Sequence, residues 1–520
     1  MSVELPSRTN QPPGSKPTRR RLRGKRAGIA VVMVLGLLAI TLALSYSMLR
    51  GQVMTAQLQQ NFERSIDARY AAQTGMHAAL RKLHEADWQG VDVPLHGTID
   101  EHTGYDITYT TGDPSLTSSS PDWQEYPFRV TVRVVGYAEH PDQPTMKSRH
   151  TLETVVQLVR RAFNSDPNGW NNIQPYALYQ WNNEDLELNL PFRVEGNAFL
   201  RGTLRLAQDY PPSTQRSRYF SDLNLMRIQG RGDYRPFSGV LTLRQSQQYS
   251  SVLNSLHNEL GTPTLNTNAS SNQPISPPGT VTKYRLYPGG KEYDVPSLQG
   301  TYGFLMHSAA AGPDPLTNPL GVFRSDSWMT FGNNAKITGT LISPGSSSDM
   351  SILGTGIEFK GYTLPPLEGS NQNYQLPALV VRDDVRFYGS TGTTIEGLAI
   401  VWDQFEILSG STSTQMNLVG KLVTSGLQVR GRDEWENLSS GSWTSSLVTF
   451  LNQILWFNGT KYYPQWMQQR AGIDYQPQLT VKPSSGVQYR WQDWSQPVYV
   501  KGSGDTGLRW NIMSQRTLAE

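Results

Sequence analysis

Residues 27–49 form an uncharged run of 23 residues, AGIAVVMVLGLLAITLALSYSML, and this run constrains the fold more than any other feature. A helix of that length spans about 34 Å, enough to cross the hydrocarbon core of a bilayer. The run exceeds the apolar core of an ordinary signal peptide, which is about 7–15 residues long. We therefore expect a transmembrane helix. A cleavable signal is the alternative, because Ser45-Tyr46-Ser47 places small residues where signal peptidase cuts.

The charge distribution gives this helix an orientation. Residues 1–26 hold eight of the 46 basic residues and one of the 43 acidic ones, so the other 494 residues carry a net charge of −4. A basic cluster beside a membrane span stays in the cytoplasm. We expect 1–26 to be a basic cytoplasmic tail or leader, and no nucleic-acid partner, because the folded part has no basic excess. The predicted location is a bacterial inner membrane, spanned once, with the C-terminal part periplasmic or displayed at the surface.

The helical pattern continues past the membrane run. Residues 50–88 contain no proline and are predicted to be an amphipathic extension of the helix. Its apolar stripe is predicted to dock against the folded head and comprises Leu58, Phe62, Ile66, Tyr70, Met76 and Leu80. Within the membrane run, Ala39, Ala43 and Ser47 recur every four residues, a small-residue seam on which another helix could pack.

This N-terminal region resembles PilX-type minor pilins of type IV pili and type II secretion pseudopili. The resemblance rests on RAGIAVV at 26–32, the apolar helix, and AAQTGM at 71–76 followed by leucines at 80 and 83. It covers about residues 20–90 and implies a prepilin peptidase that cuts between Gly28 and Ile29. It also implies the lipid bilayer, other pilins or pseudopilins and a pilus assembly platform as partners.

One departure from the pilin pattern bears on position in a filament. Met33 would be the fifth mature residue, where major pilins carry a glutamate, and no acidic residue occurs between Glu4 and Glu63. An unpaired charge in hydrocarbon is costly, and in the family this glutamate neutralises the terminal amine of a neighbouring subunit. Its absence is similar to tip or initiating pseudopilins.

Beyond the helix the composition predicts a mainly β protein, with 17% charged residues, 24 Tyr and 13 Trp among polar turns. Alternating patterns at 105–111, 127–137 and 146–161 predict strands, with a helix as the alternative for the last segment. Residues 89–163 are therefore predicted to be a small β region that completes a pilin-like α+β fold.

A recurring glycine flanked by apolar residues two positions away predicts the next region, 164–435. The glycines are Gly202, Gly339, Gly361, Gly397 and Gly420. The intervals from 339 to 361 and from 397 to 420 are 22 and 23 residues, about the length of one three-strand coil. We expect a right-handed parallel β-helix, with a β-sandwich as the alternative.

Two further segments have their own compositions. Residues 262–290, rich in Pro, Asn, Ser and Gly, are predicted to be a loop insertion. Residues 436–520 hold many of the tryptophans and are predicted to be an aromatic-rich cap over the open end of the solenoid. The same aromatic side chains would suit sugar stacking.

Motifs for catalysis are missing from the sequence. Without cysteine, HExxH, GxSxG, a P-loop or GxGxxG, we expect no cofactor, no metal and no enzyme. The best residues for a glycan-active site are the carboxylates Asp383, Asp384, Glu396, Asp403 and Glu406. Two of them would have to face one groove, and adjacent Asp383 and Asp384 would point apart on a strand, so a turn suits them better.

Together these observations favour a membrane-anchored minor pilin-like subunit whose β-rich head is displayed for adhesion or cargo contact. A surface glycan or protein is the expected ligand of the head. Two alternatives remain open: a membrane-tethered polysaccharide-binding or polysaccharide-active β-helix protein, and a plain bitopic envelope scaffold.

Overall fold

The computed structural model describes residues 27–206, 275–431, 479–500 and 509–518, with short internal gaps, and three short strands between 226 and 265. The basic tail 1–26, Gly202 and residues 432–478 lie outside the described residues.

The helices are α1 (Ala27–Lys82), a 3-10 helix (Trp123–Phe128) and α2 (Trp170–Ile173). The first strands are β1 (Leu95–Thr98), β2 (Thr103–Thr111), β3 (Arg129–His140), β4 (Gln143–Leu158), β5 (Ala162–Phe163), β6 (Tyr176–Gln180), β7 (Asp185–Leu188), β8 (Phe192–Val194), β9 (Asn197–Leu200), β10 (Thr203–Leu206), β11 (Met226–Ile228), β12 (Gly232–Tyr234) and β13 (Thr264–Leu265).

The later strands are β14 (Lys283–Arg285), β15 (Glu292–Asp294), β16 (Ala310–Ala311), β17 (Val322–Arg324), β18 (Met329–Phe331), β19 (Lys336–Thr338), β20 (Thr340–Ser343), β21 (Met350–Ile352), β22 (Glu358–Lys360), β23 (Thr363–Leu364), β24 (Asn373–Gln375), β25 (Leu379–Val381), β26 (Val385–Tyr388), β27 (Thr393–Ser409), β28 (Met416–Gly431), β29 (Leu479–Lys482), β30 (Val487–Tyr489), β31 (Tyr499–Val500) and β32 (Trp510–Leu518).

Helix α1 is one continuous helix of 56 residues, about 84 Å long. It joins the predicted membrane helix and its extension without a break and ends at Lys82, six residues before the predicted boundary. Arg81 and Lys82 stand in the last turn, where positive charge complements the carbonyl end of the helix dipole.

An antiparallel sheet of order β1-β2-β3-β4-β32 packs against the C-terminal half of α1. Strands β2, β3 and β4 confirm the three predicted strands, and β4 excludes the helical alternative for 146–161. The fifth strand, β32, comes from the C-terminal end of the chain and pairs along β4. The sheet is therefore built from both ends of the described sequence.

The remaining large sheet consists of three stacks in which every pairing is parallel. The first stack runs β16, β19, β22, β27, β28, β29, β8 and β11. The second runs β17, β20, β25, β27, β28, β6, β9, β12 and β13. The third runs β18, β21, β26, β27, β28, β7 and β10. The long strands β27 and β28 pass through all three stacks.

One strand from each of the three stacks makes up a level, and the levels lie one above another. The order of the levels differs from the order of their strands along the chain. The level next to β28 combines β29, from near the C-terminus, with β6 and β7, which precede it by about three hundred residues. Strand β29 adds to one stack, and β32 adds to the antiparallel sheet. Strands β29 and β32, which lie in the segment 436–520 predicted to be a cap, thus belong to these two sheets, where they pair with backbone groups that need partners.

Two apolar clusters lie on opposite sides of the second stack. Side chains between the stacks form one cluster, which includes Leu341, Leu379, Ala399, Leu422 and Leu178. Their chain neighbours Ile342, Val380, Ile400, Val423 and Tyr179 belong to the second cluster, together with residues of α1 and β2–β4. Since successive side chains on a strand point to opposite faces, the second stack is buried on both sides. The antiparallel sheet and the stacks therefore share one core.

Four of the five predicted repeat glycines are described, and they stand at successive levels. Gly397 and Gly420 are register partners, and the Gly361 and Gly339 N–H groups donate to Glu396 and Lys360 of the next level. Gly339, Gly397 and Gly420 have φ of 129°, 132° and 155°, the region that favours glycine. The interval from 361 to 397 is 36 residues, longer than the intervals of 22 and 23 residues, because it contains β23 and β24, which belong to a separate small sheet.

The predicted loop insertion 262–290 contains two strands, β13 and β14. Strand β14 pairs with β15 in an antiparallel hairpin, and Gly289 at its turn accepts a hydrogen bond from the Val91 N–H. The Tyr499 N–H donates to the Leu286 carbonyl on the other side. This part of the segment thus braces the end of α1 against the C-terminal strands.

Candidate membrane and assembly helix

The N-terminal half of α1 presents apolar side chains to its surroundings along its whole circumference. Residues 31–49 are all exposed, and the helix is long and apolar enough to cross a membrane by length and composition. Thr41, the central polar residue of the run, donates its hydroxyl to the carbonyls of Leu37 and Leu38 at 3.0 Å. Its hydroxyl is therefore satisfied without water, as hydrocarbon requires.

The predicted cleavage junction and the predicted small-residue seam both lie in the apolar part of α1. Gly28 and Ile29 lie in the first turn of α1, and nothing in the structure tests the predicted cut between them. Ala39, Ala43 and Ser47 are exposed, and no described residue packs on this seam. Met33 is 66% exposed. The apolar half of the helix is thus free of contacts with the rest of the described chain.

The C-terminal half of α1 docks on the antiparallel sheet through small side chains. The fully buried residues here are Ala68, Ala71, Ala72, Ala79 and Leu83, with Met76 at 3% exposure. Position 136 on β3 is glycine, and a Cβ there would lie 2.2 Å from the Ala68 carbonyl oxygen. Because neither side has bulk at this crossing, the helix and strand backbones touch. The Tyr109 hydroxyl also donates to the Ala79 carbonyl at 3.0 Å.

The predicted docking stripe is wrong for its first four residues. Leu58, Phe62, Ile66 and Tyr70 are 68%, 66%, 50% and 61% exposed, whereas Met76 is buried and Leu80 is half-buried. A spacing of four residues drifts around a helix of 3.6 residues per turn, so Tyr70 lies about 160° from Ala72. Leu58 shares the azimuth of Met76 but lies about 27 Å nearer the N-terminus, before the sheet begins. The contact is made instead by alanines at 68, 71, 72 and 79, whose small side chains offer surfaces for close packing that are visible in the sequence.

Three of the five carboxylates predicted as candidates for a glycan-active site, Asp384, Glu396 and Glu406, belong to ion pairs on the third and first stacks. The Arg386 guanidinium contacts Asp349, Asp384 and Glu406, with its Nε 2.9 Å from the Glu406 carboxylate. Glu396 pairs with Lys360 at 2.6 Å on the first stack. These side chains tie adjacent levels of the stacks together.

Asp383 and Asp384 lie in the bend between β25 and β26, as the sequence predicted. Oxygens of Asp349, Asp383 and Asp384 lie within 4.8 Å of one another. Burial, followed by the charges of Asp349, Asp384 and Asp403, raises the pKa of Asp383 to about 6. Arg386 contacts two of these three carboxylates, Asp349 and Asp384, so the acidic group is part of the ion-pair network of the third stack.

Comparisons with known proteins define no family for the chain. No family profile matches it, and no curated protein sequence matches it. Among solved structures, it is similar to the competence-associated pilin ComZ from Thermus thermophilus, with 10% sequence identity and a TM-score of 0.19. The match covers 88% of this chain and 98% of that one.

Proposed function

We propose that this protein is a membrane-anchored minor pilin-like subunit of a bacterial type IV pilus or type II secretion-type filament. The observation that carries the proposal is α1 itself. One unbroken helix is apolar and uncharged over residues 27–49, where residues 31–49 are all exposed, and is docked on an antiparallel sheet over its last quarter. Such a helix can anchor the chain in a bilayer and later pack beside other helices without changing its own structure.

In this proposal the basic tail keeps the N-terminus in the cytoplasm and the head lies outside the inner membrane. Assembly would move the helix from lipid into a core of helices, where close packing replaces lipid contacts. The seam of Ala39, Ala43 and Ser47 is exposed and suits such an approach. A filament role would therefore give a packing partner to residues 31–49, which are exposed and pack on no other described residue of this chain.

The exposed stripe supports assembly beyond the bilayer. Leu58, Phe62, Ile66 and Tyr70 follow the membrane run, and three of them are more than 60% exposed. Fully burying one such side chain contributes about 1.5–3 kcal/mol. A neighbouring subunit that covered the stripe would gain this energy, whereas a plain bitopic scaffold would leave the stripe in water.

The head in this proposal is a right-handed parallel β-helix joined to a pilin-like sheet. The three parallel stacks, the column of glycines and the steps of 22 and 23 residues between levels support the β-helix. We further propose that the head is non-catalytic, because Arg386 and Lys360 hold three of the five candidate carboxylates, Asp384, Glu396 and Glu406, in ion pairs. Its role would be display for adhesion or cargo contact.

A tip-proximal place follows from the charge pattern. If the chain is cut after Gly28, Met33 takes the fifth mature position and no acid is available to pair with the terminal amine of a neighbouring subunit. Placing one more unpaired charge in an apolar core is unfavourable. The first subunit of a filament has no neighbour ahead of it to pair with, so this chain fits there.

The test is the N-terminal sequence and intact mass of the protein from its native cells, with and without prepilin peptidase. A chain that begins at Ile29 only when the peptidase is present supports the proposal. The Gly28→Leu variant should remain uncut, while Gly36→Leu, which adds a side chain where nothing lies within 4 Å, should be cut normally. A chain that retains its basic tail in peptidase-positive cells contradicts the proposal, and a start near Met48 indicates a signal peptide.

A further inference from the structure

A cavity of about 600 Å³ opens where three separate segments of the head meet. Its walls are three residues that follow β5 (Asn164, Ser165 and Pro167), residues 275–283, which lead into β14, and the 491–496 loop between β30 and β31. This volume lies within the range of about 300–1,000 Å³ typical of small-ligand sites. None of the predicted site residues lies in it.

The lining of the cavity is aromatic and polar but nearly uncharged. Trp491, Trp494 and three prolines provide apolar surface, and most other lining side chains carry hydroxyl or amide groups. The two charged side chains are engaged: Lys283 pairs with Glu292 at 3.5 Å, and the Asp493 carboxylate accepts hydrogen bonds from the Ser495 backbone and hydroxyl. Because Lys283 already pairs with Glu292, an anionic ligand would find no unpaired cation among the lining side chains, and the one carboxylate in the lining is that of Asp493.

The neighbouring Arg490 is engaged as well. Its guanidinium stacks 4.5 Å from the centre of the Phe163 ring, lies 3.2 Å from the Asp166 carboxylate and donates to the Asn164 carbonyl. Asp166 and Arg490 thus neutralise each other beside the cavity. A phosphate or nucleic-acid ligand is disfavoured for this reason.

The aromatic wall is held in place before any ligand arrives. Trp491 packs against Trp402 at 5.6 Å, and the Trp402 indole N–H donates to the Ile275 carbonyl at 3.3 Å. Trp494 packs edge-on against Tyr284 at 5.6 Å. The buried Gln492 amide donates to the carbonyls of Asp493 and Gln496 and so fixes the loop. Such preorganisation lowers the entropy cost of binding.

We propose that this cavity binds a neutral oligosaccharide. Sugars present apolar C–H faces that suit aromatic side chains, and hydroxyls that can exchange hydrogen bonds with the exposed Ser276, Thr280 and Thr282, which also line the cavity. A neutral glycan needs no counter-charge, which matches the lining. The inference rests on the proposed display function and names the ligand class that the head would take.

The cavity contains a position at which it can be blocked without disturbing the fold. Gly279 lines it, and a Cβ there would meet nothing within 4 Å. Gly279→Phe should therefore be accommodated without a clash and place a bulky ring at the wall of the cavity. Gly312→Phe is the matched control, because Gly312 is exposed, lies outside the cavity and would place its Cβ 3.8 Å from Thr338, an ordinary contact.

The experiment is calorimetric titration of the full chain, purified in a detergent without a sugar headgroup, with cellohexaose and fully N-acetylated chitohexaose. An acidic hexasaccharide of galacturonate and a decaproline peptide serve as comparison probes. Binding of a neutral hexasaccharide that Gly279→Phe weakens about tenfold or more, while Gly312→Phe does not, supports the proposal. Failure of both neutral probes to bind at millimolar concentration, equal binding by Gly279→Phe, or preferential binding of the acidic sugar or the peptide overturns it.

This outcome is independent of the processing test. A chain that is not cut after Gly28 but binds the neutral sugar contradicts the filament role and leaves the cavity assignment intact. A chain that is cut after Gly28 and binds neither neutral probe supports the filament role and contradicts the cavity assignment.

Discussion

Gly136 of β3 and Ala68 of α1 are in backbone contact: a Cβ added at Gly136 would lie 2.2 Å from the Ala68 carbonyl oxygen and equally close to the Ala72 nitrogen. The docked part of the helix is defined by this crossing. Small side chains on one element and none on the other allow the close approach, and Tyr109 adds a hydrogen bond a few turns further on.

Replacement of Gly136 by alanine should therefore destabilise the head. The added methyl group meets helix backbone, which cannot move aside without shifting α1, and such overpacking typically costs about 1–3 kcal/mol. The measurement is the thermal unfolding midpoint of the full chain. Gly51→Ala, in the same helix where nothing lies within 4 Å of the added group, is the control and should leave the midpoint unchanged or higher. An unchanged midpoint for Gly136→Ala would contradict the contact.

The column of glycines in the parallel stacks gives a second prediction. A Cβ at Gly420 would lie 1.9 Å from the Gly397 carbonyl oxygen, and Gly420 has a φ of 155°. Gly420→Ala combines backbone strain with a clash between levels, so we expect a loss of about 2–4 kcal/mol. Denaturant unfolding followed by tryptophan fluorescence measures it, with Gly312→Ala as control. Equal stability of the two variants would show that the levels separate easily at this bend.

Local patterns in the sequence predicted much of this architecture. The apolar run and the proline-free segment after it predicted α1, and the recurrent glycines predicted positions that stand at successive levels of the parallel stacks. Gly397 and Gly420 were recognisable because the two levels they join are adjacent in the chain and 23 residues apart. Parallel pairing of neighbouring segments leaves a period in the sequence.

Pairing between distant segments leaves no such period. Nothing near Leu479 indicates that β29 pairs with Met416 on one side and Phe192 on the other, or that β32 completes the sheet begun by β1. Each edge accepts any strand of suitable length and pattern, so the sequence alone does not select the partner. The cavity at Gly279 was missed for the same reason, since its three walls come from segments far apart in the chain.

The acidic bend provides a pH prediction. Burial and neighbouring carboxylates raise the pKa of Asp383 to about 6, above the 3.8 of an unfolded chain. The folded protein therefore holds this proton more tightly, and the resulting stabilisation is present below about pH 4 and lost as the pH rises through about 6. We expect Asp383→Asn to raise the unfolding midpoint at pH 7 relative to the wild type and to match it at pH 4.

Thermal scans between pH 4 and 8 check this expectation, with Glu101→Gln in the exposed turn between β1 and β2 as the control. If Asp383→Asn gave the same pH profile as the wild type, or lowered stability at pH 7, Asp383 would be carrying its charge without penalty. The neighbouring Arg386, which contacts Asp349 and Asp384, would then be screening Asp383 as well.

Substitutions in the exposed stripe on α1 should impair filament assembly without lowering the stability of the head. Phe62→Ser and Tyr70→Ser remove side chains that are 66% and 61% exposed, so the unfolding midpoint should change little, as for most exposed positions. In a filament the same side chains would be covered, so we expect recovery of the protein in sheared filaments to fall several-fold. Met76→Ser should instead lower the unfolding midpoint. Met76 is 3% exposed, and truncation of a buried methionine costs about 2–5 kcal/mol of stability.

Gln57→Ser, an exposed polar position on the same helix, is the matched control for assembly. Quantitative immunoblots of the filament and membrane fractions, together with thermal scans of each purified variant, distinguish the two effects. If Phe62→Ser and Tyr70→Ser entered filaments as well as Gln57→Ser, the stripe would not be a subunit contact. If instead they lowered the unfolding midpoint as much as Met76→Ser, the stripe would pack on this chain's own head, and the exposure on which the filament role depends would be lost.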